Sequence, residues 1–77
     1  MRTLDLHDYN LEDAYQKCQI FIEEAYRDNL KKIEIVTGKS GPIRREFPFW
    51  AERNHQVQYI EKSWHGGSYI VKIQKKF

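Results

Sequence analysis

The chain has 77 residues, 40% of them hydrophobic and 31% charged, and this combination predicts one small folded domain rather than a disordered segment. It contains neither a run of about 18 apolar residues that could span a membrane nor an apolar N-terminal secretion signal. Its one cysteine excludes an internal disulfide, so we expect a cytoplasmic protein. Residues 1–29 carry three basic and seven acidic side chains, whereas residues 30–77 carry ten and four, which favours either an anionic partner for the second half or two faces that offset each other.

The first predicted element is a short strand over residues 2–7, in which apolar and polar side chains alternate. Leu4 and Leu6 point to one face and Asp5 and His7 to the other, because successive side chains of a strand project from opposite sides. We therefore expect one buried face and one polar face.

The strongest pattern predicts an amphipathic helix over residues 11–28, since apolar residues recur at three- and four-residue steps. Asn10 is a suitable N-cap, and Asn29 tolerates the left-handed conformation that ends many helices. Cys18 lies on the apolar face and is interpreted as an inert core residue. The face predicted to be buried consists of Leu11, Ala14, Tyr15, Cys18, Phe21, Ile22 and Ala25.

The chain continues with a second strand over residues 32–37, a loop over residues 38–41 and a second helix from about Pro42, which suits a first helical position. Pro48 lies inside this helix and is expected to kink it or split it, because proline removes a backbone hydrogen bond. The predicted core residues of this helix are Ile43, Phe47 and Trp50.

A third strand over residues 56–64, a hairpin turn at residues 65–67 and a fourth strand over residues 68–75 complete the order βαβαββ. This order predicts an α/β fold, an α+β two-layer sandwich in which a four-stranded mixed sheet carries two helices on one face. The whole chain, residues 1–77, then forms a single domain. The other face of the sheet is left open and offers a docking surface.

Two loops are candidates for a binding site, because ligands of open α/β sheets bind beyond the carboxyl ends of parallel strands. One loop follows the first strand, and the other, residues 37–41, enters the N-terminus of the second helix. Such an N-terminus attracts anions through its free N–H groups, although a simply capped loop is the alternative interpretation. The residues predicted to bind phosphate are Thr37, Gly38, Lys39, Ser40, Gly41 and Arg45, with Arg44 beside them.

Asp5 and His7 form a candidate acid–base pair on the polar face of the first strand. A carboxylate can orient and electrostatically support an imidazole, which titrates near neutral pH. Neighbours on one face of a strand lie about 6–7 Å apart, so the spacing alone does not imply a direct hydrogen bond. No cluster of cysteines and histidines accompanies the pair, so no metal site is predicted, and His55 and His65 are interpreted as solvated surface residues.

Taken together, these motifs resemble those of the Smr (small MutS-related) domain family. Residues 4–7, Leu-Asp-Leu-His, resemble the Leu-Asp-Leu-His-Gly motif that opens such domains. Residues 37–39, Thr-Gly-Lys, resemble the family's second motif, His-Gly-x-Gly or Thr-Gly-x-Gly, and the glycine pair before the last strand also fits. Asp8 and Ser40 depart from the family pattern, which has glycine at both places, and the loop before Pro42 is shorter.

The resemblance implies a fold similar to the C-terminal domain of translation initiation factor three, and it implies nucleic-acid binding. Some Smr domains act as endonucleases on DNA or RNA, and binding alone is the alternative. The family's aspartate and histidine correspond to Asp5 and His7. Its basic residue at the start of the second helix corresponds to Arg44.

The first hypothesis is therefore an endonuclease that nicks RNA in preference to DNA, with Asp5, His7 and Arg44 as catalytic residues. Attack by the 2′-hydroxyl of RNA requires no cofactor. Cleavage of DNA would require an activated water and could involve a divalent metal ion.

Two other hypotheses stay open. A nucleic-acid-binding module without catalysis would grip phosphates with the same basic residues and stack bases on Tyr59, Trp64 or Tyr69 if these are exposed. A protein-interaction module would instead pair a partner strand with a free sheet edge. No membrane partner is expected, and the oligomeric state is left open.

Overall fold

The elements follow one another in the predicted order βαβαββ in the computed structural model, which describes residues 1–76. Their bounds are β1 Thr3–Asp5, α1 Leu11–Arg27, β2 Lys32–Val36, α2 Pro42–Arg53, β3 Val57–Lys62 and β4 Ser68–Ile73.

The strands form one mixed sheet in the order β1-β2-β4-β3. β1 and β2 are parallel, since α1 carries the chain back along the sheet between them, whereas β4 is antiparallel to both β2 and β3. The parallel register places Asp5 beside Val36, and Val36 in turn pairs with Ser68. As a consequence, the carboxyl ends of β1 and β2 meet the start of β4 at one end of the sheet.

Both helices pack on the same face of the sheet, as predicted. Ile33 and Ile35 of β2 are fully buried beneath them, and Phe47 of α2 packs against Tyr69 of β4 with ring centroids 5.0 Å apart. Burying one such large apolar side chain contributes about 1.5–3 kcal/mol. This layer therefore dominates the stability of so small a domain, and the polar face of the sheet is free to carry other side chains.

α1 has the caps that the sequence predicts. The side-chain oxygen of Asn10 accepts a hydrogen bond of 2.8 Å from the backbone N–H of Asp13, which satisfies one of the free donors of the first turn. After the helix, Asn29 adopts the left-handed conformation with a φ of 59°. Both ends of α1 are therefore set by local sequence.

The buried face of α1 is narrower than predicted. Leu11 and Tyr15 remain 40% and 44% exposed, and Tyr15 instead packs edge-to-face against Trp50 at the rim of the helix layer, with centroids 5.2 Å apart. Cys18 is fully buried, and burial raises the pKa of its thiol to about 12. The cysteine is therefore an inert core residue, as expected. It is inert because a buried thiol with that pKa stays protonated at neutral pH.

Pro48 does not split α2, which is continuous over Pro42–Arg53. Pro48 cannot donate a hydrogen bond to the carbonyl of Arg44. The turns on either side of it are nevertheless held in place by Phe47 and Ala51, which are buried against the sheet. Within the described residues, neither helix combines the length and the apolar character needed to cross a membrane.

All four strands are shorter than predicted, β1 and β3 by three residues each, and the shortening of β3 widens the turn before β4. β3 ends before Trp64, which stands in the connecting turn rather than in the strand. The turn closes through a hydrogen bond of 3.0 Å from Ser63 N–H to the Ser68 carbonyl and one of 3.1 Å from Gly66 N–H to the Ser63 carbonyl. Gly66 has a φ of 79°, so glycine is needed there. The glycine pair thus predicted the turn correctly, but the turn begins two residues earlier than predicted.

Candidate functional site

The two segments that the sequence singles out adjoin at the end of the parallel pair. A Cβ atom built on Gly38 would lie 3.7 Å from the Cβ atom of His7, so the start of the loop after β2 lies beside His7. Gly38 has a φ of 83°, a conformation that side chains disfavour. Because β1 pairs with β2, the two candidate loops lie side by side.

Asp5 holds His7 through two hydrogen bonds to one carboxylate oxygen. Oδ1 of Asp5 accepts a bond of 3.1 Å from the backbone N–H of His7 and contacts Nδ1 of its ring. This direct contact arises because the chain leaves the strand after Asp5 and turns, with Tyr9 N–H bonded to the Leu6 carbonyl at 3.1 Å. The strand spacing alone did not imply it.

The pair shifts both pKa values in favour of the charged forms. The pKa of His7 is raised from its ordinary 6.5, chiefly by the hydrogen bond to Asp5 and then by the charges of Asp5 and Asp8. The pKa of Asp5 is lowered, chiefly by the same side-chain hydrogen bond. Since the His7 and Asp5 side chains are 50% and 55% exposed, solvent screens the pair. Because its pKa is raised, a larger fraction of His7 than of an ordinary histidine is protonated at neutral pH.

Nε2 is the ring nitrogen of His7 that remains for a ligand, because Nδ1 is occupied by Asp5. An oxygen of Asp8 lies 3.3 Å from Nε2, and the Asp8 side chain is 88% exposed. The imidazole therefore carries a carboxylate at each nitrogen, one held firmly and one on a solvent-exposed side chain.

The first two residues of the loop after β2, Thr37 and Gly38, use their hydrogen-bond donors within the protein. The backbone N–H groups of Thr37 and Gly38 both donate to the Gly67 carbonyl, at 3.2 and 3.1 Å. The Thr37 side chain is buried, and its hydroxyl donates to the Gly38 carbonyl at 3.0 Å. Thr37 was predicted to contact phosphate, but its hydroxyl and N–H group already have partners inside the protein.

The rest of the loop presents free donors. In the part of the chain that the structure describes, the backbone N–H groups of Lys39, Ser40 and Gly41 have no acceptor. Gly41 is the N-cap of α2 with a φ of 100°, and the first turn of α2 has neither a capping side chain nor an acidic residue. Such an N-terminus, with the exposed side chains of Lys39 and Arg45 beside it, suits an anion.

Arg44 lies apart from the Asp5–His7 pair. Its guanidinium carbon lies 4.6 Å from the ring centroid of Tyr69, which belongs to the helix-covered face of the sheet. Asp5 and His7 stand on the open face. Nη1 of Arg44 is buried, and among residues 1–76 it has no hydrogen-bond partner. The structure therefore places Gly38, the residue before Lys39, beside His7, and it directs the Arg44 side chain to the helix-covered face of the sheet.

Comparison with known proteins agrees with this arrangement of elements. The family model of the Smr domain matches residues 4–74. The chain belongs to the Smr domain family. Its structure is similar to the crystal structure of the Smr domain of Thermus thermophilus MutS2, with a TM-score of 0.90 over 96% of this chain and 99% of that chain, at 20% sequence identity. This likeness confirms the predicted fold. No curated protein matches the chain in sequence.

The two departures from the family motifs have definite places in this Smr domain. Asp8, where the motif has glycine, supplies the second carboxylate beside His7. Ser40 is exposed, and the positive φ falls on the next residue, Gly41. The loop therefore keeps two glycines in the left-handed region, with the second shifted by one position.

A polar network on the open face of this Smr domain was not predicted. The carboxylate of Glu34 accepts hydrogen bonds from Ser68 Oγ at 2.6 Å and Thr3 Oγ1 at 3.2 Å, and Nε2 of His65 lies 3.9 Å away. The only sequence signal was that Glu34 alternates with buried residues of β2. Within residues 1–76, no group of three or more His, Cys, Asp or Glu side chains is arranged to hold a metal ion.

Proposed function

We propose that this Smr domain binds nucleic acid and cleaves a phosphodiester bond, with RNA as the preferred substrate. One observation carries the proposal. An imidazole held by Asp5 stands next to a loop with free N–H donors and a lysine, so one phosphate can meet both groups. An acid–base group and an anion-binding loop are the two parts that such a cleavage requires.

In the proposed reaction His7 is the general acid. The 2′-oxygen attacks phosphorus and forms a new P–O bond, while the bond from phosphorus to the 5′-oxygen breaks. Protonated His7 donates the Nε2 proton to the departing 5′-oxygen, and the proton of the 2′-hydroxyl passes to solvent. The raised pKa of His7 keeps the acid form populated at neutral pH, and Asp5 supports that charged form.

The loop supplies the electrostatic part of the mechanism. The ammonium group of Lys39 and the free N–H groups of residues 39–41 would bind the non-bridging phosphate oxygens, whose negative charge grows in the transition state. Arg44 would act on the phosphate through its positive charge and not by direct contact, since its guanidinium stacks on Tyr69. Asp8 is exposed and can swing away from Nε2 when the phosphate enters.

A cleavage assay tests the proposal. Purified wild-type protein and the His7→Gln variant are incubated with labelled single-stranded RNA, structured RNA and supercoiled DNA, each with and without EDTA. We expect wild type to cut RNA to products with a cyclic phosphate end and H7Q to be inactive, while the EDTA samples decide whether a divalent metal takes part. Wild-type protein that leaves every substrate intact would refute catalysis.

One observation favours a second candidate, a binding module without catalysis. The carboxylate of Asp8 beside Nε2 places a negative charge where the phosphate must come, which weakens catalysis more than it weakens binding by the loop. Binding that falls steeply with salt, without any cleavage product, would support this candidate.

A further inference from the structure

Trp64 is the most exposed large hydrophobic residue of the described chain. Its relative exposure is 96%, compared with 53% for Phe49 and 44% for Tyr59. A tryptophan usually buries most of its large apolar surface. Its full exposure here leaves both faces of the indole ring open to a ligand.

The turn that carries Trp64 is ordered by hydrogen bonds on both sides of it. Besides the bonds that close the turn, the N–H of Gly67 donates to Nδ1 of His65 at 3.1 Å, and the N–H of Ser68 donates to Ser63 Oγ at 3.3 Å. The His65 ring packs edge-to-face against the indole, with centroids 5.7 Å apart. These bonds hold the backbone of the turn in place, so the point from which the 96% exposed indole projects is defined.

The turn is also hydrogen-bonded to the loop after β2. The Gly67 carbonyl accepts the N–H groups of both Thr37 and Gly38, and Cγ of Lys39 would lie 3.9 Å from a Cβ atom built on Gly67. Trp64 is three residues from this junction. The exposed aromatic ring and the basic loop thus occupy the same end of the sheet.

The other aromatic residues considered for stacking do not share this position. Tyr69 is 5% exposed, because it is packed between Phe47 and the guanidinium of Arg44. Tyr59 pairs with Lys72 near the opposite end of the sheet. Of these three candidates for stacking, Trp64 is the one that combines a free ring face with a place beside the loop.

We propose that Trp64 stacks on an unpaired base next to the phosphate held by the Lys39 loop, so that the ligand of this domain is a single-stranded segment of nucleic acid. The inference rests on the proposed function for nucleic-acid binding and adds the substrate class. In a duplex both faces of each base are covered by neighbouring bases, whereas an unpaired base offers a face to an aromatic side chain.

Charge favours a nucleic acid as the occupant of the indole surface over an apolar protein segment. Two exposed lysines adjoin the turn: Lys62 precedes it in the chain, and Lys39 lies beside Gly67 at its other end. An apolar partner covering Trp64 would remove these charges from water without pairing them. A nucleotide instead offers a base for the ring and a phosphate for the ammonium groups.

Binding of two fluorescent ligands tests the inference: a single-stranded RNA of about eight nucleotides and an RNA duplex of the same sequence. The variants are Trp64→Ala, Trp64→Phe and the control Phe49→Ala, which removes an exposed aromatic ring from α2. We expect W64A to weaken single-strand binding about tenfold, W64F to restore most of the affinity, and F49A to bind as wild type. Duplex affinity should be the same for all four proteins.

The outcomes separate this inference from the proposed function. If wild type binds the single strand and W64A binds it equally well, base stacking on Trp64 is wrong and nucleic-acid binding stands. If wild type binds neither ligand, the proposed function fails and the inference falls with it. An equal loss for both ligands in W64A would also overturn stacking, and thermal unfolding of W64A then shows whether the fold has been lost.

Discussion

His7 and Arg44 both belong to the sequence motifs of one predicted site, yet they end on opposite faces of the sheet. His7 leaves the end of β1 on the open face, half exposed and held by Asp5. Arg44 leaves the first turn of α2 and stacks on Tyr69 among the core residues. The direction of a charged side chain, and not only its place in a motif, therefore decides what it can touch.

The largest effect that would test this comparison is expected for His7→Gln. Cleavage should fall about a hundredfold or more, because glutamine cannot transfer a proton. His55→Gln is the matched control, since His55 is exposed before β3 and far along the chain from the motif. Cleavage rates are measured on single-stranded RNA. Equal rates for H7Q and H55Q would remove His7 from the mechanism.

Lys39→Ala and Arg44→Ala test the two faces against each other. K39A should weaken RNA affinity about tenfold near 0.1 M salt and lower the slope of log affinity against log salt by about 0.7, because one phosphate contact is lost. R44A should change affinity less than about twofold and instead lower the free energy of unfolding by about 1 kcal/mol, because the stacking on Tyr69 is lost.

Titration of salt in a binding assay and thermal unfolding measure the two quantities. A salt slope that changes in R44A and not in K39A would reverse the assignment. In that case the guanidinium would reach the phosphate by leaving Tyr69.

The residues that could be assigned from sequence are those set by local chemistry. Asn10 and Asn29 define the ends of α1, and the alternation over residues 4–7 predicted that Leu6 is buried and that Asp5 and His7 are exposed. Pairing of β1 with β2 followed from the connection between them. Each of these features depends on neighbours along the chain.

What could not be predicted depends on contacts between distant segments. The Gly67 carbonyl takes up the N–H groups of Thr37 and Gly38, so the loop offers fewer donors than its sequence suggests. Arg44 turns toward Tyr69 because α2 packs over β4. The short strand β3 leaves Trp64 in a turn. The sequence of one segment alone predicts none of these three features.

The pH dependence of His7 gives a third test, with Asp5→Asn as the variant. Asp5 raises the pKa of His7, so D5N should lower it toward 6.5. Since protonated His7 is the acid of the proposed reaction, cleavage should fall as pH rises through that pKa, and in D5N the fall should come at lower pH. NMR titration of the imidazole signals measures the shift directly. An unchanged pKa in D5N would mean that the Asp5–His7 bond does not form in solution.

The same pair links pH to stability. A pKa raised by folding means that the contribution of His7 is present in full below its unfolded pKa of about 6.5 and is lost as pH rises through the higher folded value. The lowered pKa of Asp5 contributes above its unfolded value, and that contribution is lost as pH falls through the folded value. Thermal unfolding should therefore show the largest stability advantage of wild type over D5N between the unfolded pKa values of Asp5, 3.8, and His7, 6.5.

The smallest effect is expected for Asp8→Asn. Removing the charge 3.3 Å from Nε2 clears the approach of a phosphate, but it also removes one of the charges that raise the pKa of His7. Because the Asp8 side chain is 88% exposed, cleavage measured below pH 6.5, where His7 stays protonated, should rise only about twofold. Glu23→Gln, which makes the same change of charge at an exposed position of α1, should leave the rate unchanged. A rise in both variants would reflect net charge, because the phosphate backbone responds to every charge on the domain. A rise confined to D8N would place the reacting phosphate at Nε2 of His7, on the open face of the sheet.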